Sequence, residues 1–395
     1  MRRAPALSFL LVTVFIDMLG LGLIVPIVPA LLTDLTGTAA DGARWNGLIG
    51  SSYGLLQFLA SPLLGRLSDR YGRRPVLLAS LTCLGVDYLA HAASPTVWLL
   101  VLFHAVAGAC AGTNTVVNAY LADVTAPELR ARAFGLVGSA FGLGFIAGPT
   151  VGGLLGAVDV RLPFYAAAGL AFANVAYGWL ILPESRPGDR TTPLTLRVAN
   201  PVGALAAVLR RPVLGRLAWA RLCADVARMT SQVIWTFFVT VRFGWSTAQV
   251  GTVMAAGALA GVLFQARAVG PLVRWLGDKR AALLGGAVAV VALTGTALAT
   301  EPWTIYVLQA VGVLGSVGGA AAQSWLSRAT GADEHGTVQG AVTGIGALAE
   351  TAVPVAASAA FAWSLTCAQP GLVFLGAAFF AAASVLVLAA SPAAQ

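Results

Sequence analysis

GRLSDRYGRRPVLL, residues 65–78, lies between two apolar runs and decides how the chain is read. It holds two glycines seven residues apart, Gly65 and Gly72, with Asp69 among four arginines, Arg66, Arg70, Arg73 and Arg74. Glycines in such a segment permit a tight connection between helices, and Asp69 can cap a helix or pair with the arginines around it. A charge network at a helix junction can hold one conformational state and release another, although a basic loop that only fixes orientation in a membrane would read similarly. A weaker echo, GPLVRWLGDKRAALL at 270–284, spaces its glycines the same way before the next apolar run. Two copies of one connection predict two related halves.

The composition around these segments excludes a water-exposed fold. Of 395 residues, 58% are hydrophobic and only 10% charged, with a mean hydropathy of +0.83, whereas soluble domains carry about 25% charged residues. A helix crosses a bilayer with about 20 apolar residues. Runs of that kind fall near 7–32, 46–64, 76–93, 97–121, 132–157, 162–183, 213–240, 247–270, 281–299, 303–327, 336–362 and 371–390. They are too continuously apolar for barrel strands, which alternate, so the expected fold is an all-α membrane protein of twelve transmembrane helices. The first run follows Arg2 and Arg3 but is too long for a signal peptide, contains Asp17 and lacks a small-residue cleavage site. It is expected to be retained as a helix.

The net charge of +8 reports topology rather than nucleic-acid binding. Eighteen of the 24 basic residues fall at the N-terminus or in alternate connections: beside Gly65 and Gly72, at Arg130 and Arg132, over 186–216, at Arg274, Lys279 and Arg280, and at Arg328. The opposite connections hold Arg44, Arg161 and Arg242. The positive-inside bias then places both termini in the cytoplasm. The longest polar stretch predicts the division: an N-terminal six-helix bundle over 1–183, a cytoplasmic linker over 184–212 and a C-terminal bundle over 213–395. Cys83, Cys110, Cys223 and Cys367 stand singly, without metal-site or disulfide spacing, and read as packing residues.

The segment at 65–78 resembles the loop 2–3 signature of the major facilitator superfamily. GLGFIAGPTVGGLLG at 142–156 resembles the fifth-helix motif of its antiporters. FIDMLGLGLIVPIVP at 15–29, YGLLQFLASP at 53–62, VDYL at 86–89, RFGW at 242–245 and FQA at 264–266 are similar to the twelve-span drug:proton antiporters that include tetracycline efflux proteins. The resemblance implies two pseudo-symmetric six-helix bundles that rock about a central cavity. It also implies proton-coupled export of an amphipathic drug-like molecule, a tetracycline among the candidates, across the bacterial cytoplasmic membrane. Protons and a small-molecule substrate would be the partners, with the proton gradient in place of a cofactor and no metal. An uptake symporter for a sugar or metabolite is the alternative; the fifth-helix motif argues against it. An enzyme is not expected, because no Walker, HExxH or GxSxG pattern occurs.

Ionisable side chains inside spans cost about 2.5–3.5 kcal/mol each on insertion scales, so each needs a role. The resemblance assigns functional acids to Asp17 and Asp87 and a polar position to Gln57. His104 stands where the likeness calls for Arg, and Asn114 and Asn118 lie one turn apart beyond it, making a stripe suited to line a cavity. If His104 and Asp17 face that cavity, their protonation should be coupled. Asp123 and Arg130 flank a further basic connection. Gly144, Gly148, Gly152 and Gly156 recur every four residues, with Pro149 and Gly153 between them, a face that admits another helix closely. Arg221, Asp225 and Arg228 can neutralise one another along one face as a structural ladder, or line the substrate cavity. Glu350 has no acid or base near it in sequence. Proton coupling is therefore expected from Asp17, His104, Glu350 and Asp87. The likeness also departs at Ala289 and Gly261, where those exporters carry an acid and a histidine.

Overall fold

A computed structural model describes residues 4–126, 129–185, 188, 212–328 and 335–391. The expected linker 184–212 therefore lies outside the described residues except for Glu184, Ser185, Gly188 and Pro212. The described residues form sixteen α-helices and one π-helical turn, with no strand. In chain order they are α1 (Ala4–Ile24), α2 (Val28–Thr36), α3 (Ala39–Tyr71), α4 (Arg73–Ala93), α5 (Val97–Ala109), α6 (Thr113–Val124), α7 (Arg130–Val158) and α8 (Leu162–Ile181). The series continues with α9 (Pro212–Phe243), α10 (Thr247–Phe264), the π turn Gln265–Val269, α11 (Gly270–Leu276), α12 (Asp278–Leu298), α13 (Pro302–Gly315), α14 (Val317–Arg328), α15 (His335–Thr366) and α16 (Leu372–Ala389).

Ten segments among the described residues are long and apolar enough to cross a membrane, and α5 is a shorter apolar helix. α9 has the length, at 32 residues, but Arg216, Arg221, Asp225 and Arg228 lower its hydropathy. Three expected spans are broken, the run 303–327 only at Ser316 between α13 and α14. The run 7–32 stops after Ile24 and restarts at Val28, because Pro26 lacks an N–H and Pro29 suits a helix start. The run 97–121 ends at Ala109; the Cys110 N–H is shared between the Val106 and Ala107 carbonyls at 3.1 Å each, a tightened last turn.

The chain divides into two compact units. The first falls within Met1–Thr38, Leu48–Arg197 and Trp245–Ala256, and the second within Ala39–Gly47, Val198–Gly244 and Gly257–Gln395. In the first, Phe9, Leu10, Leu77, Leu81, Val117, Tyr120 and Leu121 make an apolar centre between α1, α4 and α6. In the second, Leu217, Ala281, Ala321, Trp325, Ile345 and Leu388 do the same for α9, α12, α14, α15 and α16. Many large apolar side chains stay exposed, among them Leu180, Val158, Trp275 and Phe379. Solvation by lipid tails accounts for that surface.

Candidate functional site

The segment at 65–78 folds around Gly72. Its φ of +99° lies where only glycine is comfortable, and it joins α3 to α4 in a single residue. The Glu184 carboxylate occupies the place a Cβ would take. Oε1 of Glu184 accepts the Arg73 N–H at 2.8 Å and Oε2 accepts the Arg74 N–H at 3.2 Å. An acid at these otherwise unpaired N–H groups also favours the helix dipole. Glu184 was not singled out in the sequence; an acid immediately after the sixth span was the available signal.

Arg73 is buried at the centre of this junction. Its guanidinium meets Asp69 at 2.7 Å, Asp123 at 3.2 Å and the Ser68 hydroxyl at 2.5 Å. Asp123 thus pairs across to Arg73, while Arg130 donates to the Ala122 carbonyl at 3.1 Å. Arg74 donates to the Trp179 carbonyl and lies over its ring, and Arg70 lies over the Tyr71 ring. Gly65 differs from expectation. It sits inside α3, and a methyl added there would meet nothing within 4 Å, so the tight connection falls on Gly72 alone.

The glycine series of α7 receives α1. A Cβ on Gly144 would stand 2.5 Å from the Phe15 carbonyl, one on Gly148 2.6 Å from the Gly22 Cα, and one on Gly152 would strike the Leu23 carbonyl. The neighbouring face, at Pro149 and Gly153, receives the start of α10 inside the same compact unit. The Thr247 hydroxyl donates to the Gly153 carbonyl at 3.1 Å, and Gly251 packs against the Pro149 carbonyl.

Between α4 and α5 three polar side chains converge. Nδ1 of His104 lies 2.8 Å from Oδ2 of Asp87, and Nδ1 of His91 lies 3.2 Å from Oδ1. Asp87 is 1% exposed, so protein encloses its carboxylate. His104 is thereby committed to Asp87, a correction to the expected pairing with Asp17: α4 and α5 are sequential neighbours, and the half-buried imidazole finds its carboxylate there. His91, one turn after Asp87, was missed in the sequence; the i, i+4 spacing that puts both on one face of α4 was the available signal. Oδ1 of Asp17 is buried without a hydrogen-bond partner. Gln57 is half-buried on α3 and Asn118 is exposed on α6; the Asn114 side chain lies outside the described residues.

The second unit holds a cavity of about 540 Å³ lined by α9, α12, α13, α14 and α16. Its wall is mostly apolar, with Arg221, Asp225, Arg228, Gln232, Gln309 and Gln323 as polar groups and Ala289 on the same lining. Asp225 is buried between Arg221 at 2.6 Å and Arg228 at 3.3 Å, and Arg228 reaches Gln232 at 2.7 Å. Glu350 of α15 is within electrostatic reach of both Arg228 and Asp225. It is therefore the fourth member of this charge set and not a solitary acid, a grouping that residues over a hundred positions apart could not reveal by spacing.

Repeated helical segments of membrane length, with glycine-lined contacts and charges confined to junctions and buried sets, define a polytopic membrane protein. The chain belongs to the Major Facilitator Superfamily, whose family model matches residues 10–354, a family of membrane transporters. It is 36% identical to the tetracycline resistance protein, class C, of Escherichia coli, over 92% of this chain and 91% of that protein. It is 34% identical to the class G tetracycline resistance protein of Vibrio anguillarum, over 91% of each. The crystal structure of the nucleoside transporter NupG superposes with a TM-score of 0.78 at 14% identity, covering 98% of both chains; that likeness concerns the fold.

Proposed function

We propose that this protein exports an amphipathic drug-like molecule from the bacterial cytoplasm in exchange for protons, with both termini cytoplasmic. The observation that carries the reading is the 36% identity to a tetracycline resistance protein along nine-tenths of both chains. The charge sets support it. A mostly apolar cavity with a few convergent polar groups suits a ligand with a hydrophobic body and polar edges, and the Arg221–Asp225–Arg228 set supplies those groups. Asp17 is the preferred proton carrier in this proposal, because its Oδ1 can gain or lose a proton without breaking an existing ion pair. Glu350 is the second carrier. Asp87 and His104, being paired, hold the first unit together around them, and the junction at Arg73 latches it. Tetracyclines head the candidate substrates.

The test is a drug-susceptibility panel in an efflux-deficient bacterial host, tetracyclines included, followed by uptake into inside-out vesicles. Export predicts resistance to at least one amphipathic compound, together with vesicle accumulation that collapses when the proton gradient is discharged. Accumulation in right-side-out vesicles under an inward proton gradient would instead establish an uptake symporter.

A further inference from the structure

We propose that Asp87, His91 and His104 form a binding site for a divalent first-row transition ion of the zinc class within the first compact unit. α4 carries Asp87 and His91 one turn apart, so both side chains leave the same face, and α5 sets His104 against them. One donor atom from each residue lies within 4.8 Å of the other two. Two imidazoles and one carboxylate suit zinc, cobalt or nickel; magnesium and calcium favour oxygen donors throughout.

A second observation points to the same ligand. Oδ1 of the buried Asp87 accepts no hydrogen bond, although Nδ1 of His91 is only 3.2 Å away. That nitrogen is directed at the Asp87 main-chain carbonyl, 2.9 Å distant. A buried carboxylate oxygen that faces an imidazole but receives no aligned hydrogen bond from it is incompletely satisfied, which is costly. An ion held about 2.0–2.2 Å from each donor would satisfy it, and the side chains need close up by only about 1 Å to reach that geometry. The rings are already positioned. His91 stacks on Phe164 at 5.7 Å and His104 on Tyr53 at 4.7 Å, with the two imidazoles edge to face at 5.3 Å. His104 retains 21% exposure of its side chain, which leaves an approach and an open fourth position for water. The site lies within the first unit and shares no residue with the cavity lining of the second, and His91 has no part in the proposed export chemistry.

The full-length protein, purified in detergent with a tag free of histidine, is titrated with cobalt(II) as a spectroscopic probe and then with zinc. One equivalent of cobalt should give visible d–d absorption that zinc displaces. His91→Gln and His104→Gln should each weaken binding by more than the roughly 10–100-fold that loss of an outer ligand partner costs. His335→Gln, which changes the third histidine of the chain, should leave the bands in place. Folding of each variant is checked by size-exclusion chromatography. Should a variant fail to fold, zinc protection of His91 and His104 against diethyl pyrocarbonate in the native protein, read by mass spectrometry, replaces it. Absence of cobalt bands in folded protein, bands indifferent to both substitutions, or equal modification with and without zinc would each overturn the site.

Discussion

Asp17, Asp87 and Asp225 lie well inside helices, and each has a different surrounding. Asp87 is shared by two imidazoles and Asp225 by two guanidinium groups, while Oδ1 of Asp17 is buried without a hydrogen-bond partner. Asp17→Asn is expected to abolish uphill, gradient-driven accumulation while downhill exchange continues; vesicle flux with and without a proton gradient measures this. Persistent uphill transport would move the carrier role to Glu350. For Asp225 the effect falls on stability as well. Asp225→Asn withdraws the charge from two arginines that line the cavity, and a cost of about 1–3 kcal/mol is expected for leaving charged donors poorly paired. Arg228→Gln should cost less, under about 1 kcal/mol, since that side chain is half exposed and exposed pairs contribute little. Thermal unfolding in detergent ranks the two; the reverse order would mean Asp225 is not the hub of the set. His104→Arg tests the pairing between α4 and α5. An Arg keeps a positive partner for Asp87 at every accessible pH, yet it cannot ligate zinc, so the cobalt bands should vanish from a protein that still folds.

Helical elements here are placed by where a side chain is forbidden. Gly72 combines a left-handed φ with the Glu184 carboxylate where its Cβ would be. Gly72→Ala is expected to cost about 1–3 kcal/mol through backbone strain and to displace the cap on α4. Gly65→Ala meets open space inside α3 and should be neutral or stabilising by about 0.5–1 kcal/mol, the ordinary helix preference for alanine. Melting temperatures of the two variants separate these roles, and equal losses would return Gly65 to the junction. The same reasoning applies to α7. Gly148→Val would drive a side chain into the Gly22 backbone, separating α1 from α7, and loss of folded protein in the membrane fraction is the expected outcome. The echo at 270–284 has a structural counterpart: Gly277, like Gly72, takes a positive φ (+75°) and joins two helices in one residue.

Across the molecule the two units repeat this junction with the charges exchanged. In the first, a cation at the head of α4, Arg73, meets an acid near the end of α6, Asp123. In the second, an acid at the head of α12, Asp278, meets a cation at the end of α14, Arg328, at 3.2 Å. Similar geometry does not mean similar energy. The Arg73 side chain is 8% exposed and has three partners, whereas that of Arg328 is 70% exposed. Arg73→Ala leaves Asp69, Asp123 and Ser68 without their common partner, and a loss on the order of 3–5 kcal/mol is expected for a broken buried pair. Arg328→Ala should cost less than about 1 kcal/mol. Expression level and thermal stability of the two variants compare the units directly; a large loss at Arg328 would refute the ranking.

The succession of apolar runs, the repeated glycine-and-charge connection and the fifth-helix glycine series were determined by the sequence alone. Each follows from local physics: the bilayer demands a minimum apolar length, helices must satisfy their own backbone, and only glycine allows certain φ values or close approaches. The breaks after Ile24 and Ala109 were not legible, because hydropathy averages over a proline or a tightened turn. Tertiary structure decided the partnerships. His104 joined Asp87 and not Asp17, His91 entered the same cluster, Glu184 capped α4 from over a hundred residues away, and Glu350 joined Arg228 and Asp225. Periodicity identifies which face of a helix a residue occupies, but a charge set assembled from several helices depends on which faces meet. That is settled only when the helices pack.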